Sequence, residues 1–334
     1  MGSKTPTVLG LDTSLAQVSL SLARRTDDAN ATRDPAIEMS PRENLLATYV
    51  ADSKPAVWWN VKYKTRWLSD GSIVEGNPIF TNFLWNEIGR GTDLDVLQDW
   101  LKQNQNIVDE LTVMVFATES PKWVDFFGAD SIDEEAAKRG EQKFNSMCSS
   151  CHGTYEKDWS AATKEARLTT TRVRYHAQTP VMDVGTSPQR AHGMTAFADG
   201  LNKLTVSQWM KTVVEVQTGY VPPPLEGVWA RYPYLHNQSV PTLCELLGPA
   251  SARSPVFYMG DDADAGTDYD STCVGLPVGD AVPASWKTDA RRKYDTTITG
   301  LSNQGHDSWL KDANGNAILT VTERADLIAY LKTL

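Results

Sequence analysis

Residues 148–152 read Cys-Ser-Ser-Cys-His, and this pentapeptide constrains the fold of the 334-residue chain more than any other segment. Two thiols three positions apart lie on one helical turn, from which both can reach the vinyl groups of a haem, and the imidazole that follows can face the iron. The motif therefore predicts one covalently attached haem c, held by Cys148 and Cys151, with His152 as a ligand of the haem iron.

Two other uses of a Cys-x-x-Cys pair fit the sequence less well. A thioredoxin-like redox pair follows a strand at the start of a helix, whereas the residues before Cys148 have a helical pattern. A structural zinc site needs a second pair of ligands at finger-like spacing. The remaining cysteines, Cys244 and Cys273, are single and far apart.

The charge and hydropathy of the chain limit its partners. A formal net charge of -10 does not supply the basic surface that phosphate binding needs, so we expect no nucleic-acid partner. An acidic surface suits either a basic redox partner or an uncharged substrate. The chain is 41% hydrophobic, enough for a core, but no run approaches the roughly 18 apolar residues that a membrane span requires.

Helical patterns occur before the motif and at the end of the chain. Ser131 and Glu134 form a capping-box pattern, followed by apolar residues at helical spacing: Ile132, Ala136, Gly140, Phe144 and Met147. Thr320 and Glu323 form a second one, before Leu327, Ile328, Leu331 and Leu334. These segments resemble the first and last helices of class I cytochromes c, which cross closely. Gly140 beside Phe144 suits such a crossing.

A further helix is expected from Leu94 to Asn104, with Thr92 before it as a cap. Strand signals are sparse and short. The predicted fold class is mostly α: a cytochrome c-like domain with long irregular loops, preceded by the remainder of a second, related domain.

Cys244 and Cys273 remain after the haem has taken two cysteines, and we expect them to form a disulfide. Haem is attached to such motifs outside the cytoplasm, so a periplasmic or extracellular protein is expected. Met1 to Ala23 nevertheless shows no apolar signal-peptide core, which indicates a removed signal or a start inside a longer protein.

An internal repeat supports the second of these interpretations. Residues 55–72 and 224–239 both contain Val-Trp, a short basic and aromatic stretch, and then aromatic-Leu-x-(Asp/Asn)-x-Ser. Ser69 is the counterpart of His236, which lies 84 residues after His152. The same separation counted back from Ser69 falls ahead of Met1. We therefore expect a missing upstream segment with its own haem motif.

The repeat, together with the later GLSNQGHD and ERADLIAYLKTL segments, resembles the rubber oxygenase family of dihaem cytochromes c, distant relatives of bacterial dihaem peroxidases. The resemblance covers most of the chain from about residue 50. It implies that Cys148 to His152 corresponds to the family's C-terminal haem, which has two histidine ligands and handles electrons.

In that family the N-terminal haem binds oxygen and cleaves polyisoprene. The resemblance implies that Trp58 and Trp59 lie where the family has aromatic residues over this haem, although ordinary core packing would also explain an aromatic pair. No second Cys-x-x-Cys-His occurs in the sequence. The family's catalytic haem site is therefore expected to be absent from this chain.

Seven side chains are candidates for the sixth ligand of the iron: His176, His192, His236, His306, Met182, Met194 and Met259. The spacing of small single-haem cytochromes favours Met194. His306 lies just before the terminal helix, from which a loop can fold back over the haem, and it matches the distal histidine of the resembling family. We expect His306.

The sequence thus predicts the remainder of an N-terminal cytochrome-like domain over residues 1–128 and a haem-bearing domain over 129–334. The expected function is electron transfer to a redox partner protein or an upstream haem domain. The alternative is a haem-dependent oxygenase or peroxidase acting on a hydrophobic substrate in a full-length dihaem protein. A non-catalytic redox sensor would need an attached signalling domain.

Overall fold

The computed structural model describes residues 6–15, 18, 51–196, 198–261, 264 and 266–334, which fold into many short helices and three small sheets. The α-helices are α1 Pro78–Arg90, α2 Leu94–Gln103, α3 Gln105–Phe116, α4 Trp123–Phe127, α5 Glu134–Met147, α6 Ser149–His152, α7 Lys164–Thr169, α8 Gln189–Gly193, α9 Ala198–Lys203, α10 Thr205–Trp209, α11 Leu243–Leu246 and α12 Val321–Leu331. The 3₁₀ helices are Trp58–Tyr63, Ala129–Ser131, Met194–Ala196, Val228–Ala230, Ala250–Ala252, Gly279–Ala281, Ala284–Thr288 and Ala290–Arg292.

Each sheet is one antiparallel pair of strands. The strands are β1 Ile73–Glu75, β2 Thr154–Lys157, β3 Thr171–Arg174, β4 Val213–Val214, β5 Val256–Tyr258 and β6 Lys293–Asp295. They pair as β1 with β4, β2 with β3, and β5 with β6. Long irregular segments connect these elements. None of the helices in the described ranges is long and apolar enough to cross a membrane.

The crossing of α5 and α12 agrees with the sequence prediction. A Cβ on Gly140 would lie 2.0 Å from the carbonyl oxygen of Asp326, so only glycine lets the two backbones approach this closely. The rings of Phe144 and Tyr330 pack beside it with centroids 5.4 Å apart. Arg139 and Asp326 add a two-pronged ion pair across the helices, at 2.8 and 2.9 Å.

The predicted caps are confirmed at one helix and wrong at two. Thr320 and Glu323 form the expected capping box of α12. At α5 the cap is Asp133, whose carboxylate accepts from the amide of Ala136, because Ser131 lies in a preceding 3₁₀ turn and its hydroxyl accepts from Trp123. At α2 the cap is Asp93 rather than the preceding threonine. In both cases a carboxylate closer to the helix displaces the hydroxyl, by two positions at α5 and by one at α2.

Three hydrophobic clusters form the core of the described chain. The first combines residues 15–108 with residues 194–214, although the haem motif lies between these segments in the sequence. The second runs from residue 123 to the end and contains the α5–α12 crossing. The third packs Val8 and Leu11 against residues 257–301. The domain boundary near residue 128 stays a prediction.

The sequence repeat is also a repeat in structure. Its central parts, residues 67–73 and 234–240, are here called the first and second repeat turns. In each turn the first and last residues pair as an antiparallel bridge. The second residue, Leu68 or Leu235, has a positive φ, of 69° and 67° respectively. Two non-glycine residues in the same strained conformation indicate that both segments fold in the same way.

The polar residue in the middle of each turn makes the same local bond. Asp70 accepts from the amide of Ser72 at 3.2 Å, and Asn237 accepts from the amide of Ser239 at 3.3 Å. Beyond this bond the two differ: Asp70 pairs with the buried Arg190, whereas the amide of Asn237 donates to backbone carbonyls.

Candidate haem site

The Cys-Ser-Ser-Cys-His motif begins at the C-terminal cap of α5. The amide of Cys148 donates to the carbonyl of Phe144 at 2.8 Å, and α6 carries the rest of the motif to His152. The turn that follows requires Gly153, which has a φ of 80°, and a Cβ there would lie 2.6 Å from the carbonyl oxygen of Arg174. This turn holds both cysteines and the histidine on the wall of one cavity.

The cavity has a volume of about 760 Å³. Besides the motif, its wall in this half of the molecule is mostly apolar: Phe144, Met147, Leu225, Val228, Tyr234, Leu235, Leu243, Leu246, Leu247, Trp309, Leu327 and Leu331. Its size and apolar lining are typical of sites for large planar cofactors.

His152 is a neutral imidazole, and one of its two ring nitrogens makes a hydrogen bond to the backbone. Its Nδ1 donates to the carbonyl oxygen of Pro223 at 2.9 Å, which leaves Nε2 without a proton. Burial lowers the pKa of His152. The backbone next to the ring is fixed as well, because the hydroxyl of Tyr155 donates to the carbonyl of His152 at 2.9 Å. Such an imidazole is the form that binds a metal ion.

His306 lies across the cavity from His152, with the two ring centroids 6.1 Å apart. An iron bonded to both imidazoles would place each nitrogen about 2 Å away, and each ring centre about 1 Å farther. The observed separation therefore fits one iron atom between the two rings. His306 has a φ of 55°, a left-handed conformation of the kind that is concentrated at functional sites.

The loop that carries His306 is anchored on both sides of this residue. The guanidinium of the buried Arg253 donates to the carbonyls of Asn303 and Gly305, the latter at 2.8 Å. The carboxylate of Asp307 accepts from the amide of Ala250 at 2.9 Å. The amide of His306 itself donates to Val184 at 2.7 Å. Burial, and then the nearby His152, lower the pKa of His306 to about 3, so its imidazole is neutral.

The first thiol of the motif, Cys148, does not have the electrostatics of a redox-active cysteine. Burial, and then the neighbouring Cys151, raise the pKa of Cys148 to about 12. Redox-active dithiols need the opposite shift, because the thiolate is the reactive form. The pair also follows a helix rather than a strand. Two cysteines and two neutral imidazoles facing one apolar cavity form a donor set that suits a covalently attached haem.

Four of the six other candidates for the sixth ligand do not line the cavity. Met194 is buried in the first core cluster and Met259 in the third. His176 bonds to the carbonyl of Cys151 at 3.0 Å, and His192 is exposed. Met182 lines the cavity.

His236 also lines the cavity, but its ring stacks on that of Tyr220, with centroids 3.6 Å apart. Burial, and then the charge of Arg190, lower the pKa of His236 to about 3.

The cavity continues into the part of the molecule that contains the first repeat turn. Its wall there includes Val57, Trp58, Val61, Trp67, Leu68, Ile79, Trp85, Leu111, Met114 and Val115. The two expected pocket aromatics differ: Trp58 lines this part of the cavity and is 57% exposed, whereas the indole of Trp59 donates to the carbonyl of Glu226 at 2.9 Å.

Cys244 and Cys273 form a disulfide, the pairing expected from the sequence. Cys244 is part of α11, whose Leu243 and Leu246 line the cavity, so the bridge braces one wall of the candidate haem site. Sequence reasoning missed the carbonyl of Pro223 and the guanidinium of Arg253, which position the two imidazoles. No spacing pattern marks them, because both act on residues far away in the chain.

Comparisons with known proteins relate the chain to a cytochrome c-like family and to two bacterial proteins. Residues 219–258, which include the second repeat turn, match the family model described as RoxA-like, cytochrome c-like. The uncharacterized protein y4iJ of Sinorhizobium fredii is 28% identical over 64% of this chain and 41% of its own length. The uncharacterized protein y4iM of the same organism is 31% identical over 60% of this chain and 49% of its own length. The chain thus spans less than half the length of these relatives.

Proposed function

We propose that this chain, a relative of the RoxA-like cytochromes c, is a c-type cytochrome that carries one covalently attached haem and transfers electrons. The observation that carries the proposal is the 6.1 Å separation of the His152 and His306 rings across the cavity that both motif cysteines line. Cys148 and Cys151 would attach the haem, and the two histidines would hold its iron.

A bound haem supplies a one-electron couple at its iron. The described residues would tune and protect this couple. His152 and His306 would both hold the iron, and an iron held by two imidazoles would not be free to bind oxygen. The bond of His152 to Pro223 makes the imidazole a better ligand for the metal, and most of the wall around it is apolar. An iron held by two histidines suits electron transfer better than oxygen chemistry.

The first experiment measures haem attachment. After expression with a c-type cytochrome maturation system, intact-mass spectrometry should show the added mass of one haem, and the pyridine haemochrome assay should give one haem per chain. Replacing both cysteines, C148A/C151A, should abolish attachment. Holoprotein that is unaffected by the double substitution would end the proposal.

The second experiment tests the sixth ligand. His306→Ala should convert a low-spin haem spectrum into a partly high-spin one that binds carbon monoxide readily. His192→Ala is the matched control, because this histidine is exposed. A methionine ligand would instead give the oxidised wild-type protein a weak charge-transfer band in the far red. An unchanged spectrum in His306→Ala would rule His306 out.

The apolar extension of the cavity favours a second candidate function. Trp58, Trp67 and Trp85 line it, which would suit a hydrophobic substrate beside a second haem, as in an oxygenase or peroxidase formed by a longer dihaem protein. We infer that this chain alone does not cleave polyisoprene, because its one haem would have no open iron position. Product formation by the isolated chain with oxygen would contradict this inference.

We also propose a periplasmic or extracellular location and a haem-bearing domain over residues 129–334, preceded by a related cytochrome-like region. The disulfide and the haem attachment motif support the location, because disulfides form, and haem is attached to such motifs, outside the cytoplasm. Fractionation of the native host with an antibody to the chain tests it. Recovery in the cytoplasm with free Cys244 and Cys273 would contradict it.

A further inference from the structure

Three cationic side chains line the haem cavity: Lys54, Lys64 and Arg231. No carboxylate of a described residue forms an ion pair with any of them, although the chain has 42 acidic and 32 basic residues. Buried cations are ordinarily paired, because an unpaired charge away from water is costly. The described protein residues therefore supply no negatively charged partner for these three cations.

Their few hydrogen bonds go to backbone carbonyls. The guanidinium of Arg231 donates to Pro224 at 3.1 Å, while its Nε is buried without an acceptor among the described residues. The ammonium of Lys54 donates to Pro233 at 2.7 Å. These bonds leave several donor hydrogens on each group free for another acceptor.

The surroundings of the three groups are electrostatically unfavourable. Burial lowers the pKa of Lys64 to about 7 and that of Arg231 to about 10, and it lowers the pKa of Lys54 well below its usual value. The positive charge of Arg231 contributes to the lowered pKa of both lysines, so each lysine lies close enough to Arg231 to be repelled by it. An anion among them would relieve both the repulsion and the desolvation.

The cluster lies beside the proposed proximal ligand. Pro223 and Pro224 present adjacent carbonyls, of which the first accepts from His152 and the second from Arg231. The charge of Arg231 also contributes to the lowered pKa of His152. A haem held by this histidine would therefore lie within the field of Arg231, and the two lysines line the same cavity.

We propose that Arg231, Lys54 and Lys64 bind the two propionate carboxylates of the haem and position the cofactor in the cavity. Propionates are the anionic groups of a haem, and a guanidinium with a free Nε can bind a carboxylate by two parallel bonds. The inference rests on the proposed function, since it needs a haem on His152. It assigns a role to the basic stretch that both repeat segments contain.

The test compares reduction potentials of haem-loaded variants. Loss of a positive charge near the haem favours the oxidised iron, so Arg231→Met and Lys64→Met should each lower the reduction equilibrium constant about tenfold, or about 59 mV. Arg231→Lys should restore most of the wild-type potential. Lys62→Met is the matched control, because Lys62 lies two positions away and donates to the carbonyl of Thr118 instead.

The haem content of each variant separates the two proposals. Wild-type protein without attached haem refutes the proposed function itself. Variants that carry one haem but keep the potential of Lys62→Met overturn the propionate assignment alone. If Arg231→Met does not accumulate, Lys54→Met and Lys64→Met decide the question: lowered potentials support the assignment, and unchanged ones refute it.

Discussion

The buried ion pair of the first repeat turn offers a sharp test of how the two repeats differ. Asp70 is 0% exposed and Arg190 is 3% exposed, and their Oδ2 and Nη1 atoms lie 3.1 Å apart. We consider Asp70→Asn. The new amide oxygen can still accept from the backbone and hydroxyl of Ser72, as the carboxylate does now. Asn237 makes the same backbone bond in the second turn, so asparagine suits this conformation.

The substitution therefore removes the charge and preserves the turn. Arg190 is left buried and unpaired, and breaking a buried pair from one side costs about 3 to 5 kcal/mol. Urea unfolding of the haem-loaded protein at pH 7, followed by far-UV circular dichroism, measures this loss. A double variant that also replaces Arg190 with methionine should recover much of it, because the uncompensated charge is gone.

The same substitution in an exposed pair provides the control. Asp289 pairs with Arg291, whose side chain is 74% exposed, and Asp289→Asn should cost no more than about 1 kcal/mol. If Asp70→Asn is no more destabilising than Asp289→Asn, Asp70 does not compensate a buried charge on Arg190. A double variant that is less stable than Asp70→Asn alone would contradict the same role.

Three further predictions concern the frame of the site. Gly140→Ala should destabilise the protein by about 1 to 3 kcal/mol through overpacking against α12, even though alanine favours helices; chemical unfolding measures it. Loss of the disulfide by C244S/C273S should cost about 2 to 4 kcal/mol, measured in the same way. Lys143, and then the helix cap, lower the pKa of Glu323 from 4.5 to about 2. The ionised Glu323 therefore stabilises the folded protein above the unfolded-state pKa, and this stabilisation is lost as the pH falls towards 2. Glu323→Gln should reduce the proton uptake on unfolding between these two pH values by up to about one proton.

Much of the frame could be predicted from the sequence. The spacing of Ile132, Gly140 and Phe144 predicted a helix that the structure shows as α5, and its close crossing with α12 follows from one glycine. The repeat indicated two related domains, and the turns of its two segments share φ angles and bonds. The helix and the two turns rest on interactions within a few residues, which a local pattern records.

The caps show where local patterns mislead. Asp133 stands two positions after Ser131, and both are good N-cap residues. The indole of Trp123 bonds to the hydroxyl of Ser131 and so decides between them. That contact belongs to the packing of α4, which the sequence around the cap does not reveal.

The haem attachment motif and the helices around it could be predicted from the sequence by itself, because a thioether pair and a helical turn involve residues that are neighbours in the chain. The tertiary structure alone decided which side chain faces His152. The ring of His306 faces that of His152 because two contacts hold the His306 loop. Arg253 donates to the carbonyl of Gly305, and the carbonyl of Val184 accepts from the amide of His306. The cation cluster at the cavity wall likewise joins residues from both repeats. Such arrangements depend on bonds between segments far apart in the chain, so they exist only once the fold has formed.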